Sequence, residues 1–288
     1  MIEQNICRTA GTSTRVTHDL DILLVEDSRA NQLLMSSLLK NVGYRVTVAE
    51  NGVVAIDLIQ QHLPAVYDLV LMDLQMPELD GYGATKIIRG FHNAAAKVPI
   101  FAISASDSMS DHEKCYAVGM QACVPKPFDI DELVEKIEQF VQQDQSSSLA
   151  PSATTAENKQ KTAVLIDEKM VSDMQQSLSP EAIKRMIDTF LAEAEQRTKA
   201  VYSLTQALFE SSGGKTQAKV QATDWLSIQR ELHTLKSLSG SFAAQAMFEL
   251  SISMEQHAKQ EQLEQTDLAT LQALLQKTKL AFIELGLH

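Results

Sequence analysis

Acidic residues stand directly after two of the apolar runs in this sequence. Glu26 and Asp27 follow the run 22–25, and Asp73 follows the run 69–72. Continuous apolar runs of this length are typical of strands buried in a parallel sheet. Because ligands of such folds bind at the carboxyl ends of the strands, the three carboxylates are predicted to lie close together at one edge.

A hydroxyl and an ammonium group follow two further runs. Ser104 comes after the run 100–103, and Lys126 comes shortly after the run 122–124. Clustered carboxylates repel each other and are stable mainly around a hard divalent cation such as Mg²⁺, which prefers oxygen ligands. Beside such a metal Asp73 is a candidate nucleophile toward phosphorus, and Lys126 and Ser104 would hold the phosphoryl oxygens. Each residue alone fits a helix cap, a turn or a solvated charge, so the prediction depends on the joint pattern.

A second candidate site is His233, in the segment LHTLKSLSGSFA (232–243). At helical spacing Lys236, Ser237 and Gly240 share the face of His233. Lys236 could attract a phosphoryl group, and Gly240 removes a side chain where another protein could dock. The imidazole is therefore predicted to point outward, on an exposed face of its helix. The opposite face is an apolar stripe formed by Leu232, Leu235, Leu238 and Phe242.

The elements that would position the first site alternate regularly between strand and helix. This alternation predicts an α/β fold, a doubly wound five-stranded parallel sheet with helices on both faces. The predicted strands lie at 22–25, 44–48, 69–72, 100–103 and 122–124, and the predicted helices near 29–40, 52–62, 83–90, 109–118 and 130–142.

The composition changes after this region. A Ser-, Thr-, Ala- and Gln-rich segment without apolar periodicity predicts a flexible linker. Beyond it, apolar stripes at 181–209, at 226–242 and in a last helix from Leu268 to Leu285 predict an all-α helical bundle, with a long loop at 211–223. The predicted organisation is a flexible N-terminal arm (1–19), an α/β domain (20–143), a linker (144–163) and a helical domain (164–288).

The charge and composition exclude several classes of function. The net charge is −12, which makes direct nucleic-acid binding a poor hypothesis. The three cysteines include no Cys-x-x-Cys pair, so neither a disulfide framework nor a zinc site is expected. The sequence has no signal-peptide pattern and no run of about 20 apolar residues. We therefore expect a soluble, cytoplasmic protein without membrane insertion.

The segment LMDLQMPELDGYGATKIIR (71–89) closely resembles the phosphoacceptor region of response-regulator receiver domains. The segments LLVEDSRANQ (23–32), PIFAISA (99–105) and CVPKPFD (123–129) fit the other landmarks of that family in order and spacing. The resemblance covers roughly residues 20–143, is greatest to receivers attached to hybrid histidine kinases, and implies a flavodoxin-like fold.

The receiver resemblance also implies roles for the residues of the first site. Asp73 would be the phosphorylation site. Glu26 and Asp27 would bind Mg²⁺, Asp27 directly, with Asp73 and the backbone carbonyl of Gln75 as further ligands.

Ser104 and Lys126 would be the switch hydroxyl and the phosphate-contacting lysine, and the Lys126–Pro127 bond would be cis. The sequence departs from the family at Cys123, where a switch Tyr or Phe is common. A thiol cannot report the state of Ser104 as a ring does, so aromatic switching is not expected. We interpret Cys123 as a small buried residue rather than a redox group.

The segment around His233 resembles the His-x-x-Lys-Gly-x-x-Gly signature of histidine phosphotransfer (HPt) domains, which are helical bundles. His233, Lys236 and Gly240 match the signature, whereas Ser237 and Ala243 replace residues that are commonly Gly. Both substitutes are small, so access to His233 should survive. His233 would then be a second phosphoacceptor.

Together the two resemblances predict an intermediate of a two-component phosphorelay. A sensor histidine kinase would phosphorylate Asp73, and the group would pass to His233 and then to the receiver of a downstream response regulator, in reversible steps. The sequence shows no Gly-rich phosphate loop, so a phosphotransfer protein without its own ATP-dependent kinase core is expected.

Two other classes of function remain open. One is a phosphorylation-controlled docking module whose helical domain transfers nothing. The other is a metal-dependent phosphatase of the haloacid-dehalogenase type, which needs an acid two residues after the nucleophile, where this chain has Gln75.

Overall fold

A computed structural model describes residues 19–63, 66–104, 109–126, 130–144, 165–212 and 222–288. The predicted alternation of strands and helices in the first domain is confirmed. Five parallel strands form one sheet in the order β2-β1-β3-β4-β5. The strands are β1 (Asp21–Val25), β2 (Arg45–Ala49), β3 (Leu69–Asp73), β4 (Ile100–Ser104) and β5 (Ala122–Pro125).

Helices cover both faces of this sheet, because side chains alternate between the faces along each strand. Apolar side chains of one face pack on α1 and α5, and those of the other face pack on α2, α3 and α4. The helices are α1 (Arg29–Val42), α2 (Gly52–Gln61), α3 (Gly81–Arg89), α4 (Met109–Ala117) and α5 (Ile130–Asp144), with a short 3₁₀ helix at Ala94–Lys97.

The second domain is a bundle of helices, as predicted, but it has two helices more than the sequence pattern indicated. Within residues 165–212 and 222–288 the structure describes five helices. The additional two are α6 and α9. Ser251 and Glu255 lie on the buried face of α9, so polar residues interrupt its apolar stripe. The helices are α6 (Glu168–Ser177), α7 (Pro180–Ser212), α8 (Ala222–Ser241), α9 (Gln245–Lys259) and α10 (Gln265–Glu284).

The apolar stripe predicted for α8 forms the centre of the bundle. Leu232, Leu235, Leu238 and Phe242 are all fully buried. The ring of Phe242 stacks on Phe190 of α7, with the ring centroids 5.0 Å apart. Aromatic pairs of this kind contribute beyond their buried area, so this stripe fixes the orientation of α8.

The two domains are in contact through α1. Its inner face packs on the sheet, whereas Ala30 and Leu34 on its outer face belong to the apolar core of the helical bundle. Both side chains are buried, and burying a Leu side chain contributes about 1.5–3 kcal/mol. One helix of the α/β domain therefore serves two cores.

Several sequence predictions lie outside the described residues. They concern the N-terminal arm apart from Asp19, the linker apart from Asp144, the middle of the 211–223 loop, and Pro127. Among the helices that the structure describes, none is both long enough and apolar enough to cross a membrane.

Candidate functional site

The register of the sheet aligns the strand ends that carry the first site. Val25 pairs with Met72, so Glu26 and Asp73 stand at the same level. Asp73 pairs with Ile103, the residue before Ser104. Glu26, Asp73 and Ser104 are all buried. The structure therefore brings together at one edge the residues that the sequence pattern placed there.

Lys126 follows the outermost strand, β5, and its buried side chain reaches across this edge of the sheet. Its Nζ donates to Glu26 Oε2 at 2.6 Å and to Asp73 Oδ2 at 2.7 Å. A third donation reaches Ser237 Oγ of the helical domain at 3.1 Å. Burial opposes the charge of Lys126, but the attraction of Asp73 and Glu26 outweighs it and raises the pKa of the ammonium group.

The three carboxylates form a tight cluster. Oxygens of Glu26, Asp27 and Asp73 lie within 4.8 Å of one another. Burial raises the pKa of Glu26 to about 8, with Asp73 and Asp27 adding to the rise against the effect of Lys126. Burial and the charge of Asp73 raise the pKa of Asp27 to about 6. One lysine does not balance three carboxylates, so the cluster favours additional positive charge.

This donor set fits a hard divalent cation, because all of its ligand atoms are oxygens. Both oxygens of Glu26 already accept protein hydrogen bonds, Oε2 from Lys126 and Oε1 from Ser28 N and Asn31 Nδ2. The Asp27 carboxylate accepts no hydrogen bond from the described residues. Asp27 is therefore the carboxylate best placed to contact a metal directly, and Glu26 is better placed to act through water.

Cys123 is buried on β5, as the sequence interpretation expected. It belongs to the apolar cluster between the sheet and α2, α3 and α4, together with Cys115 of α4. A hydrogen bond with Cys123 lowers the pKa of the Cys115 thiol to about 7, although burial opposes this. At the position where receiver domains commonly have a switch Tyr or Phe, this chain therefore has Cys123, whose thiol lies beside that of Cys115.

His233 of α8 is held by Glu255 of α9, a residue that the sequence analysis missed. His233 Nδ1 lies 3.3 Å from Glu255 Oε1, and Lys236 Nζ donates to Glu255 Oε2 at 2.6 Å. Lys259 also pairs with Glu255, at 3.0 Å. Burial raises the pKa of Glu255, but the hydrogen bonds from His233 and Lys236 outweigh it and lower the pKa well below its usual range.

The charge of Glu255 selects the tautomer of His233. An ionised carboxylate can only accept, so the proton of the neutral imidazole belongs on Nδ1. Nε2 then keeps its lone pair and is the ring nitrogen that has the chemistry of a nucleophile. The pairing of Glu255 with His233 could not be predicted from the sequence. It joins two different helices, so no residue spacing within one helix indicates it.

Some residues of both candidate sites line one cavity. It measures about 480 Å³ and lies between the domains. Asp27 and Gln75 line it from the α/β domain, and His233 and Thr234 line it from α8. Further side chains around it are Leu74, Met76, Pro77, Asp80, Tyr82, Arg197, Ser227, Arg230 and Glu231.

Comparison with protein families assigns both domains. Residues 22–138 match the family described as response regulator receiver domain. Residues 185–280 match the Hpt domain family. The chain contains a receiver domain followed by an Hpt domain.

Relatives of this chain include histidine kinases. Histidine kinase 5 of Arabidopsis thaliana is 34% identical over 46% of this chain and 17% of its own length. The virulence sensor protein BvgS of Bordetella pertussis is 25% identical over 87% of this chain and 19% of its own length. The chain thus spans less than a fifth of the length of either relative.

A solved structure similar to the receiver domain is that of a sensor histidine kinase receiver from Pseudomonas aeruginosa, with a magnesium ion in its active-site cleft. It shares 37% sequence identity, at a TM-score of 0.40, over 43% of this chain and 99% of that chain.

The prediction that His233 lies on an exposed face of its helix is wrong. His233, Lys236 and Ser237 are no more than 7% exposed, and Gly240 is buried as well. The face does point away from the Hpt core, but the receiver domain and Glu255 cover it, which the helical periodicity of one segment cannot reveal. Because Gly240 is buried, and larger side chains at buried positions strain the packing, we expect Gly240→Leu to destabilise the packing rather than only to block a partner.

Replacing Glu255 should slow phosphorylation of His233 without abolishing it. In Glu255→Gln a neutral amide replaces the carboxylate that fixes the tautomer of His233. Loss of one charge-assisted hydrogen bond corresponds to about 1.4 kcal/mol, or about tenfold in rate. The rate of formation of alkali-stable phosphate measures the effect. Glu249→Gln, on the same helix but paired with Gln245, is the control, and equal rates in the two variants would contradict the assigned role.

Proposed function

We propose that this chain is a phosphorelay intermediate in which one phosphoryl group passes between Asp73 and His233 of the same molecule. The observation that carries this proposal is the contact between the two sites. Lys126, which holds Asp73, also donates to Ser237, one turn after His233 on α8. His233 and Asp27 line the same cavity. This arrangement supports direct transfer within the chain.

The proposed chemistry needs no proton from outside. A carboxylate oxygen of Asp73 attacks the phosphorus of a donor phosphohistidine; the P–O bond forms, and the P–N bond breaks with its electrons returning to the donor nitrogen. In the second step Nε2 of His233 attacks the phosphorus on Asp73, and the carboxylate leaves. The His233 ring then carries a positive charge, which ionised Glu255 at 3.3 Å stabilises.

Glu26, Asp27 and Asp73, with the carbonyl of Gln75, would hold a magnesium ion in this proposal. A bound divalent cation would neutralise charge on the phosphoryl oxygens while the phosphoryl group is transferred. Lys126 and the Ser104 hydroxyl would hold the remaining phosphoryl oxygens. Both are buried at the ends of β5 and β4, so they can orient the group with little competition from water.

The proposed partners follow from the two acceptors. A phosphohistidine donor, supplied by a sensor histidine kinase, would load Asp73. The receiver domain of another response regulator would accept the group from His233. Each step is reversible, so the same chain could carry phosphoryl groups in either direction.

Mixing two inactive variants tests whether transfer occurs within one chain. Wild-type protein loaded with acetyl phosphate should form alkali-stable phosphate at a first-order rate that is independent of protein concentration. A mixture of Asp73→Asn and His233→Gln chains has to transfer between molecules. Tethered domains have effective concentrations on the order of millimolar, so at about 1 micromolar protein the mixture should be about 1,000-fold slower.

Three results of this experiment are distinguishable. A mixture as fast as wild type would overturn transfer within the chain. Alkali-stable phosphate absent from wild type and mixture alike would instead favour a docking module. A slow mixture whose rate rises with concentration supports the proposal.

A further inference from the structure

The first turn of α1 joins the receiver's acidic site to its outer surface. Ser28 caps the helix by accepting from Asn31 N at 3.3 Å. Ser28 N and Asn31 Nδ2 both donate to Glu26 Oε1, at 3.3 and 2.9 Å. The backbone of Ser28 and the side chain of Asn31 therefore hold a carboxylate of the site from this turn.

Glu193 of α7 binds this turn. Its Oε2 accepts from Ser28 Oγ and from Ala30 N, both at 3.2 Å. The first N–H groups of a helix have no partner within the helix and attract negative charge. On its own domain, the opposite oxygen of Glu193 lies 3.6 Å from Arg197, which helps to orient the carboxylate.

Ser237 of α8 binds the other side of the same turn. Its Oγ accepts from Asn31 Nδ2 at 3.3 Å and from Lys126 Nζ at 3.1 Å. Ser237 stands where HPt sequences commonly have Gly, so this hydroxyl is a feature of this chain rather than of the signature. Its two donors contact Glu26, and one of them also contacts Asp73.

We propose that Glu193 and Ser237 are specificity determinants by which the Hpt domain recognises its own receiver domain, through the Ser28–Asn31 turn. The proposal deepens the transfer function proposed above, because it names what selects the internal acceptor. The apolar contacts of Ala30 and Leu34 are not directional. Glu193 and Ser237, by contrast, accept hydrogen bonds, and two of their donors, Ser28 Oγ and Asn31 Nδ2, are side-chain groups. A receiver without these side chains would leave the partly buried carboxylate of Glu193 and the buried hydroxyl of Ser237 with one hydrogen bond fewer each.

Amide hydrogen exchange at Ala30 tests the recognition without any phosphoryl transfer. Ala30 N–H lies in the first turn of α1 and donates to Glu193, so its protection depends on the other domain. We expect it to be protected in the full wild-type chain and to exchange about tenfold faster in Glu193→Ala, the change that one charge-assisted hydrogen bond produces.

The matched control is Glu195→Ala, on the same helix but exposed and paired with Lys199. It should leave the exchange rate at Ala30 unchanged. Ser237→Ala should raise that rate, whereas Ser241→Ala, one turn further on α8, should not. Rapid exchange at Ala30 in the wild type, or equal effects of each variant and its control, would overturn the proposal.

A competition experiment measures selectivity itself. Wild-type chains loaded on Asp73 are mixed with an equal amount of tagged Asp73→Asn chains, and the phosphate on each His233 is measured. In the wild type, the quantity of interest is the ratio of phosphate on His233 of the loaded chain to phosphate on His233 of the tagged chain. This ratio should fall about tenfold when the loaded chain carries Glu193→Ala or Ser237→Ala. Transfer with an unchanged ratio would overturn the selectivity. If neither kind of chain carries phosphate on His233, the proposed transfer function is overturned. The hydrogen-exchange rates at Ala30 would then be the test of domain recognition.

Discussion

Asp73→Asn should abolish formation of acyl phosphate on this chain. Asp73 is the carboxylate at the end of β3 that Lys126 contacts at 2.7 Å, and an amide oxygen is too poor a nucleophile to replace it. Incubation with acetyl phosphate and Mg²⁺, followed by intact mass measurement, should show added phosphoryl mass in the wild type and none in the variant, which cannot load His233 through Asp73 either.

The control for this prediction is Asp57→Asn, because Asp57 is exposed on α2. It should be labelled as fully as the wild type. Chelation of the metal should abolish labelling of every variant, since three carboxylates within 4.8 Å then repel the incoming phosphate. A full mass shift in Asp73→Asn would show that another residue is the acceptor.

Much of the receiver domain could be predicted from the sequence. Its strands are buried on both faces, so they read as continuous apolar runs, and parallel pairing then places the residues after each run at one edge. Asp73 and Ser104 could be assigned to the same site for this reason. The contacts of Lys126 with two carboxylates depend on side-chain conformation, which no spacing rule supplies.

The surroundings of His233 could not be predicted in the same way. Glu255 pairs with His233 across two helices, and α9 carries polar residues on its buried face, so neither the helix nor its role was expected. The contact between the domains depends on the outer face of α1. Apolar residues on both faces of α1 indicate that its outer face is buried, but they do not identify the element that packs against that face.

The same limitation explains why the predicted accessibility of His233 was wrong. Helical periodicity correctly separated His233 from the apolar stripe of α8. It could not distinguish a face in water from a face against another domain, because both tolerate polar residues. Ser237 illustrates this, since its hydroxyl is buried yet accepts hydrogen bonds from Asn31 and Lys126.

His233→Gln should abolish the alkali-stable, acid-labile phosphate and leave labelling of Asp73 intact. A phosphoramidate survives alkali, whereas the acyl phosphate on Asp73 is hydrolysed by it, so alkali treatment before measurement separates the two products. Gln has a shape similar to part of the imidazole and can still accept or donate a hydrogen bond near Glu255, but it has no basic ring nitrogen to attack phosphorus.

His257→Gln is the matched control for this variant. His257 lies on α9, is partly exposed and contacts Asp267 at 3.3 Å rather than the cavity between the domains. It should form alkali-stable phosphate at the wild-type rate. Because Nε2 of His233 is the nitrogen that Glu255 leaves unprotonated, the phosphate in the wild type should be attached to Nε2. Attachment to Nδ1, or alkali-stable phosphate persisting in His233→Gln, would contradict the geometry from which the relay is inferred.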